Sequence, residues 1–358
     1  MATRDTTHPC RLAALGLATE GAVRVAPVIN LPRFMTAQGL DADAVIRAQG
    51  CDPSLFTDPD NIIAFSAIGR LLARVAECTG CAYPGLEVAR QRGLDASGPV
   101  GRAARLAPDV GTALRTFILS AHLHDRGAVP YLWADEHKAM FGYTLCCPDV
   151  IGTDHIHDGA LAIAYNMLRE LAGPRWQATE VRLFRAAPAD KTPFRKHFRA
   201  PLRFGAEQTA IVFLAADLAR PCVDADAQAY ARAMSDLETL NATSGIGFAE
   251  QVHRVLQRLL LTGVSVGGTA PDRATVCALY ALNPRTLNRR LRDEGTTFAA
   301  LLAQARYDIA RALLRETRLT VQDIACTLGY AGTGPFTLAF RDWSGMTAAT
   351  WRARQRGN

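Results

Sequence analysis

Asn283-Pro284-Arg285-Thr286-Leu287-Asn288-Arg289-Arg290-Leu291-Arg292 is the stretch that decides the architecture. An asparagine ahead of a proline opens a helix. The asparagine oxygen takes up an unsatisfied first-turn amide, and proline suits the first helical position because its fixed φ is already helical. Leu287 and Leu291, four apart, face inward, while Arg285, Asn288, Arg289 and Arg292 share the other face with Thr286 at its edge. Arg273 to Tyr280 forms a second short helix just upstream. Two short helices across a tight turn, the second bearing a cationic face, describe a helix-turn-helix. Arginine matches guanine bidentately in the major groove and asparagine matches adenine.

Moving outward, Phe298 to Arg315 is an unbroken amphipathic helix with Leu301, Leu302, Ala305, Ile309, Leu313 and Leu314 along one side. Eighteen residues span roughly 27 Å, against a groove repeat of ~34 Å on one side of B-DNA. Beyond it the pattern repeats. Thr320 caps a helix over Val321 to Leu328 with Asp323 in its first turn, and Gly329 ends it in the left-handed position. Thr333 then caps a helix through Trp343, with Phe336, Phe340 and Trp343 buried and Thr333, Thr337 and Arg341 outward. Two such units on one rod can enter successive major grooves.

Charge agrees with this reading. Residues 250–358 hold 15 arginines, no lysine and 8 acids, whereas residues 1–249 hold 25 basic and 26 acidic residues. The whole excess of +6 therefore lies in the last third, as expected of a nucleic-acid-binding end on a neutral body. Coding bias toward arginine explains 37 arginines against 3 lysines. It does not explain why net charge collects at one end. A 49% hydrophobic, 21% charged chain is a folded protein. No apolar run reaches the ~20 residues of a membrane span, and no leader is recognisable at the N-terminus. The expectation is a cytoplasmic, bacterial protein that joins the nucleoid when bound to DNA and has no membrane partner. Nine cysteines are too few for a disulfide scaffold.

The N-terminal body reads as mixed α+β. Residues 1–27 carry little pattern. Thr36 to Ala48, Asn61 to Cys78 and Leu114 to Leu123 have helical spacing. Tyr131, Trp133, Phe141, Tyr143 and Leu145 alternate about an Asp135-Glu136-His137-Lys138 turn, the signature of a β-hairpin. Asp154 is placed to cap a helix reaching Leu171, and Val181 to Phe184 and Ala210 to Leu214 read as strands. A helix within Asp224 to Leu240 and a polar joint over Asn241 to Gly247 link this body to the last domain; another loop covers Gly263 to Pro271. The expected domains are 28–220 for the α+β body, 221–247 for the linker and 248–358 for the double helix-turn-helix.

Several strings in the body carry possible chemistry. Cys78-Thr79-Gly80-Cys81 is a C-x-x-C, but a zinc or redox site needs a second pair or a strand-then-helix setting, and neither is present. Cys146 and Cys147, being adjacent, are poorly placed to share a disulfide. His122-Leu123-His124-Asp125 and His155-Ile156-His157-Asp158 are two H-x-H-D strings. On a strand each pair of rings would share a face and suit a metal; on a helix the rings diverge. The second string falls at a helix start. Tyr131, Trp133, Tyr143, His155 and His157 are accordingly candidates for lining a small-molecule pocket, with Phe141 beside them. Gly85 reads as an isolated turn glycine. No nucleophile elbow, phosphate-cradling loop or zinc-protease helix occurs, so no enzyme, cofactor or catalytic residue is expected.

Asn283-Pro284-Arg285-Thr286-Leu287, Arg289-Arg290-Leu291, Glu294-Gly295-Thr296-Thr297-Phe298, Ala310 to Leu314, Ile324-Ala325, Leu328-Gly329-Tyr330, Phe336, Phe340 and Trp343 to Thr347 together resemble the DNA-binding domain of AraC/XylS-type transcription regulators across residues 248–356. Leu31-Pro32, Gly39-Leu40-Asp41, Gly50 to Pro53, Gly85-Leu86 and the block from Pro188 to Phe213 are similar to the regulatory domain of the ornithine-utilisation-regulator-like subgroup. The resemblance implies an α+β effector-sensing and dimerisation domain followed by an all-α double helix-turn-helix. It also implies promoter DNA and a small-molecule effector as ligands, a homodimer, and activation through RNA polymerase. Family members often carry serine where this chain has Gly334, arginine where it has Leu338 and proline where it has Ala348; the subgroup often has histidine at Ala186. The expected DNA contacts are Arg285, Thr286, Asn288, Arg289 and Arg292 from the first unit and Thr333, Thr337 and Arg341 from the second. Alternative readings are a metal or thiol sensor using His122, His124, His155 and His157 or Cys78 and Cys81, and an enzyme fused to a DNA-binding tail.

Overall fold

The computed structural model describes residues 21–145, 147, 150–243, 247–262, 271–280 and 282–356. Most of the unpatterned N-terminus, the 263–271 loop except Pro271, residue Cys146 of the vicinal pair and the centre of the polar joint lie outside the described residues. The chain divides into two compact units, one up to Thr243 and the other from Gly247.

In chain order the first unit contains β1 (Ala22–Arg24), α1 (Leu31–Ala37), α2 (Ala42–Ala48), β2 (Ile62–Ala64), α3 (Phe65–Thr79), α4 (Pro84–Ala89), α5 (Gly98–Arg105), α6 (Val110–Ser120), β3 (Ala128–Ala134), β4 (Lys138–Leu145), α7 (Thr153–Ala172), β5 (Glu180–Leu183), α8 (Thr192–Phe198), β6 (Leu202–Phe204), β7 (Ala210–Leu214) and α9 (Ala227–Thr243). β1 and β2 form a small antiparallel pair; the main sheet has the order β3-β4-β7-β5-β6. Only its β5–β6 pair is parallel. One core joins this sheet to α6, α7 and α8 through Phe117, Phe141, Tyr165, Phe194, Phe198 and Phe213. A second gathers β1, α1, α2 and α3 around Val23, Leu31, Met35, Ile46, Leu71 and Leu72.

Several local expectations are corrected. Thr36 to Ala48 is two helices, because Gly39 adopts φ 78° between them and Asp41 recaps the chain by accepting from the Ala44 amide at 3.0 Å. Ile62–Ala64 is strand, pairing with β1, before α3 begins. Asp154 does not cap α7. The cap is Gly152 in the left-handed region at φ 66°, and Asp154 sits in the first turn, where its charge favours the helix dipole. Gly85 is helical rather than a turn glycine. A Cβ there would lie 1.8 Å from the His155 carbonyl oxygen, so α4 and α7 can cross this closely only at a glycine.

The hairpin register matters most for the site. Directly opposed residues of an antiparallel pair share a face. Tyr131 opposes Gly142 and Trp133 opposes Met140, whereas Phe141 opposes Leu132 and Tyr143 opposes Pro130. Tyr131 and Trp133 therefore lie on one face of the sheet, Phe141 and Tyr143 on the other. Gly142 is required where it is: a Cβ would fall 2.1 Å from Cζ of Tyr131, whose ring covers it.

The second unit is helical: α10 (Phe248–Thr262), α11 (Arg273–Leu279), α12 (Pro284–Asp293), α13 (Phe298–Glu316), α14 (Val321–Thr327), α15 (Thr333–Ser344) and α16 (Ala348–Arg356). α13 is the rod. α10 packs against it, with His253 Nε2 lying 3.1 Å from Asp308 Oδ2. α11 and α12 pack together, as do α14 and α15.

Candidate nucleic-acid interface and ligand cavity

The first reading helix, α12, is built as its residues require. The Thr286 amide donates to Asn283 Oδ1 at 2.8 Å, with Pro284 at the first helical position. Leu287 and Leu291 are fully buried. Arg285, Arg289 and Arg292 are exposed, and Thr286 and Asn288 are half-buried at the edge of the same face. Arg290 points differently: its guanidinium lies over the Phe248 ring, 5.3 Å from the centroid. Glu294, just past α12, accepts from the amides of Phe248 and Ala249 at 2.8 and 2.9 Å and so caps α10. An acid distant in sequence from the helix that it caps leaves no local signal.

α13 carries 19 residues, about 28 Å of rise. Its Thr297 cap accepts from the Ala300 amide, and Leu301, Ala305, Ile309, Leu313 and Leu314 are buried as the spacing requires; Leu302 is half-buried. Tyr307 meets Phe340 and Trp343 of the second reading helix at 5.8 and 5.7 Å between centroids. Arg306 Nε donates to the Leu328 carbonyl at 3.0 Å and its guanidinium covers Tyr330. α14 opens on a full capping box between Thr320 and Asp323, so the shorter aspartate does what glutamate or glutamine usually does. Gly329 has φ 74°.

On α15, Phe336 and Phe340 are fully buried while Trp343 is half-buried. Thr333 does not cap this helix. Gly332 is the N-cap and Thr333 is the first helical residue, exposed, so its hydroxyl is not used by the helix end. Arg341 is exposed and Thr337 half-buried. Leu338 stands 67% exposed beside them, a large apolar side chain on a polar face. Among the described residues Arg285, Arg289, Arg292 and Arg341 have no acidic partner. α16 was not expected; Arg352 ties it to the rod by donating to the Leu314 carbonyl at 3.2 Å.

The N-terminal unit holds a cavity of about 870 Å³, its open mouth included, between α3, α4, α6, α7 and the inner face of the hairpin. Tyr143 and His155 line it with Phe141; Tyr131 and Trp133 do not, because the register turns them to the other face. Tyr131 instead donates its hydroxyl to the Thr209 carbonyl at 3.2 Å, and burial pushes its ionisation up. His157 stands behind the wall, its ring edge-on to Tyr143 at 6.4 Å.

The structure splits both H-x-H-D strings. His122 Nε2 meets Asn241 Oδ1 of α9 at 2.7 Å, whereas His124 and Asp125 line the cavity. Asp125 Oδ1 accepts from the amides of Gly127 and Ala128, and Oδ2 from the Tyr143 hydroxyl at 2.6 Å. Burial, with Arg24 adding to it, depresses the His124 imidazole to about 3. Burial likewise lowers His155. In the second string the helix sends His155 to the cavity and Asp158 to Arg185; burial raises the Asp158 carboxyl to about 7 against the pull of that guanidinium. Among the described residues no group of three His, Cys, Asp or Glu can hold a metal ion. Cys78 is exposed at the end of α3 and Cys81 half-buried, both as free thiols. His124 and Asp125 were legible only as a metal string; nothing local marked them as cavity walls.

A family model described as the arabinose-binding domain of AraC transcription regulators, N-terminal, matches residues 39–222, and a helix-turn-helix domain model matches 276–354. The chain is 26% identical to the HTH-type transcriptional regulator VirS of Mycobacterium tuberculosis over 322 residues, covering 89% of this chain and 93% of that one. It is 22% identical to the ornithine utilization regulator of Pseudomonas aeruginosa, covering 92% and 96%. A solved structure, the transcriptional regulator CdpR from Pseudomonas aeruginosa, aligns with TM-score 0.40 at 22% identity over 87% of this chain and 96% of that one. With the N-terminal family model spanning more than half of its length and a helix-turn-helix model at its C-terminal end, the chain belongs to the AraC family of DNA-binding transcription regulators.

Proposed function

We propose that α12 and α15 read successive major grooves of promoter DNA and that a small molecule in the N-terminal cavity controls this binding. One observation carries the first part: a capped helix held down by Leu287 and Leu291 exposes Arg285, Arg289 and Arg292, with Asn288 half-buried beside them, and among the described residues no acid pairs with these arginines. Arg289 and Arg285 match guanine and Asn288 adenine; Arg292 and Thr286 hold phosphates. On α15, Thr333, Thr337 and Arg341 anchor the backbone, so the first unit supplies most of the base readout. The rod of about 28 Å, plus the thickness of the flanking units, suits the ~34 Å groove repeat. Effector binding shifts the population of DNA-competent states. A homodimer, formed through the N-terminal unit, would place four reading helices on repeated half-sites in the cytoplasm. From the family's usual behaviour the outcome is activation, with RNA polymerase as the further partner.

Footprinting on the regulated promoter tests the proposal. The expected result is two protected patches per protomer, one helical turn apart. Protection confined to one short patch would overturn it.

A further inference from the structure

We infer that the N-terminal cavity takes an uncharged, mainly apolar small molecule bearing one hydrogen-bonding head, and that it rejects sugars and zwitterionic amino acids. The inference deepens the effector reading above and rests on it. Most of the wall is carbon: Phe65, Leu72, Phe117, Phe141, Ile163 and Met167 are among its lining residues. A sugar brings a hydroxyl on nearly every carbon, and each hydroxyl buried without a partner carries an uncompensated desolvation cost. An apolar wall therefore selects against it.

The polar groups of the wall are few, and two are already committed. Tyr143 donates to Asp125, which also takes two backbone amides. What remains is the Ser97 hydroxyl and the two imidazoles of His124 and His155, whose Nδ1 atoms are each buried without a hydrogen-bond partner. His124 is only 9% exposed and comes from the turn before β3, His155 from the first turn of α7. Two histidines from separate elements, each with an orphaned ring nitrogen, belong to the wall of one apolar cavity. A bound hydroxyl, which both donates and accepts, satisfies such nitrogens; bare walls do not.

Charge on the ligand is disfavoured in either sign. A charged head would give up its hydration against a wall that is mostly carbon, and an anion would in addition enter beside the Asp125 carboxylate. Neither neutral imidazole offers a countercharge.

The test uses the full chain and four probes: cyclohexanol, cyclohexanecarboxylate, cyclohexylammonium and L-arabinose. Three share one ring and differ only in the head. Calorimetric titration should show saturable binding of cyclohexanol, at least about tenfold weaker binding of both charged analogues, and none of arabinose. His155→Leu should weaken cyclohexanol about tenfold, the equivalent of one hydrogen bond. Ala160→Leu, which fills the cavity from α7 without touching a polar group, should block it. Binding of arabinose, preference for a charged analogue, no binding of cyclohexanol, or undiminished binding in both variants would each overturn the inference. A gel shift on the same preparations separates the two readings. Intact DNA binding with failed cyclohexanol binding removes this inference alone. Cyclohexanol binding that leaves DNA affinity unchanged keeps the cavity's chemistry and removes it as a control site.

Discussion

The C-terminal unit keeps its working charge on the outside, whereas the N-terminal unit brings ionisable groups in. Arg285, Arg289, Arg292 and Arg341 stand in solvent. His124, Asp125, His157 and Asp158 are all buried, and the first two line one cavity. The difference teaches how one chain can hold two kinds of recognition. An exposed cationic face binds a polyanion at little desolvation cost and is tuned by salt. A buried polar set works by what it leaves unpaired, and is tuned by protonation and shape.

Salt should separate the units most sharply. If the chain makes six or more phosphate contacts, raising salt from about 50 to 200 mM should cut DNA affinity by on the order of a thousandfold. Cyclohexanol binding to the same protein should not move; a matching fall there would break the contrast. Next in size, Arg289→Ala should cost about 1–3 kcal/mol on the specific site if the guanidinium pairs with guanine. Equal losses on specific and random DNA, read by gel shift, would make Arg289 a backbone contact.

The buried set should answer to pH. His124 is held neutral down to about 3 in the fold, whereas its ordinary value is 6.5. Between those values the unfolded chain binds the extra proton, so this contribution to stability is lost as pH falls below about 6.5. Asp158 acts in the opposite sense: its carboxyl is raised to about 7, so its contribution is present at low pH and lost as pH rises through that value. The expected result is that His124→Gln reduces the fall in thermal midpoint between pH 7 and pH 5 by a few degrees. An unchanged fall would mean that the imidazole is not the titrating group.

Two smaller effects sharpen the C-terminal side. Asn283→Ala should cost about 1 kcal/mol of stability in that unit, measured by denaturation, because the Thr286 amide loses its acceptor. Leu338→Ala, at an exposed site, should change stability and DNA affinity by less than about 0.5 kcal/mol. A larger loss of affinity would give the second reading helix a share of base recognition.

Legibility followed the range of the interactions. The double helix-turn-helix could be read because its signals are local: Asn283 and Thr320 cap helices three residues away, and Leu287 and Leu291 recur at helical period. The sheet of the first unit was readable only in part. The β3–β4 hairpin is local and was found; β6, parallel to β5, and the short helix α8 between them were not. The hairpin's alternation also placed Tyr131 and Trp133 beside Phe141 and Tyr143, since it shows which residues of one strand share a face but not the register of the pair.

By itself, then, the order of amino acids determined the two-unit plan, the rod and the cationic face of α12, because each rests on contacts within a turn or two of helix. Only the tertiary structure decided which residues wall the cavity. A one-residue change of register exchanges the faces of a strand, and the approach of α7 to α4 at Gly85 depends on segments about seventy residues apart. His124 and His155 meet the same space for that reason, and no local pattern encodes it.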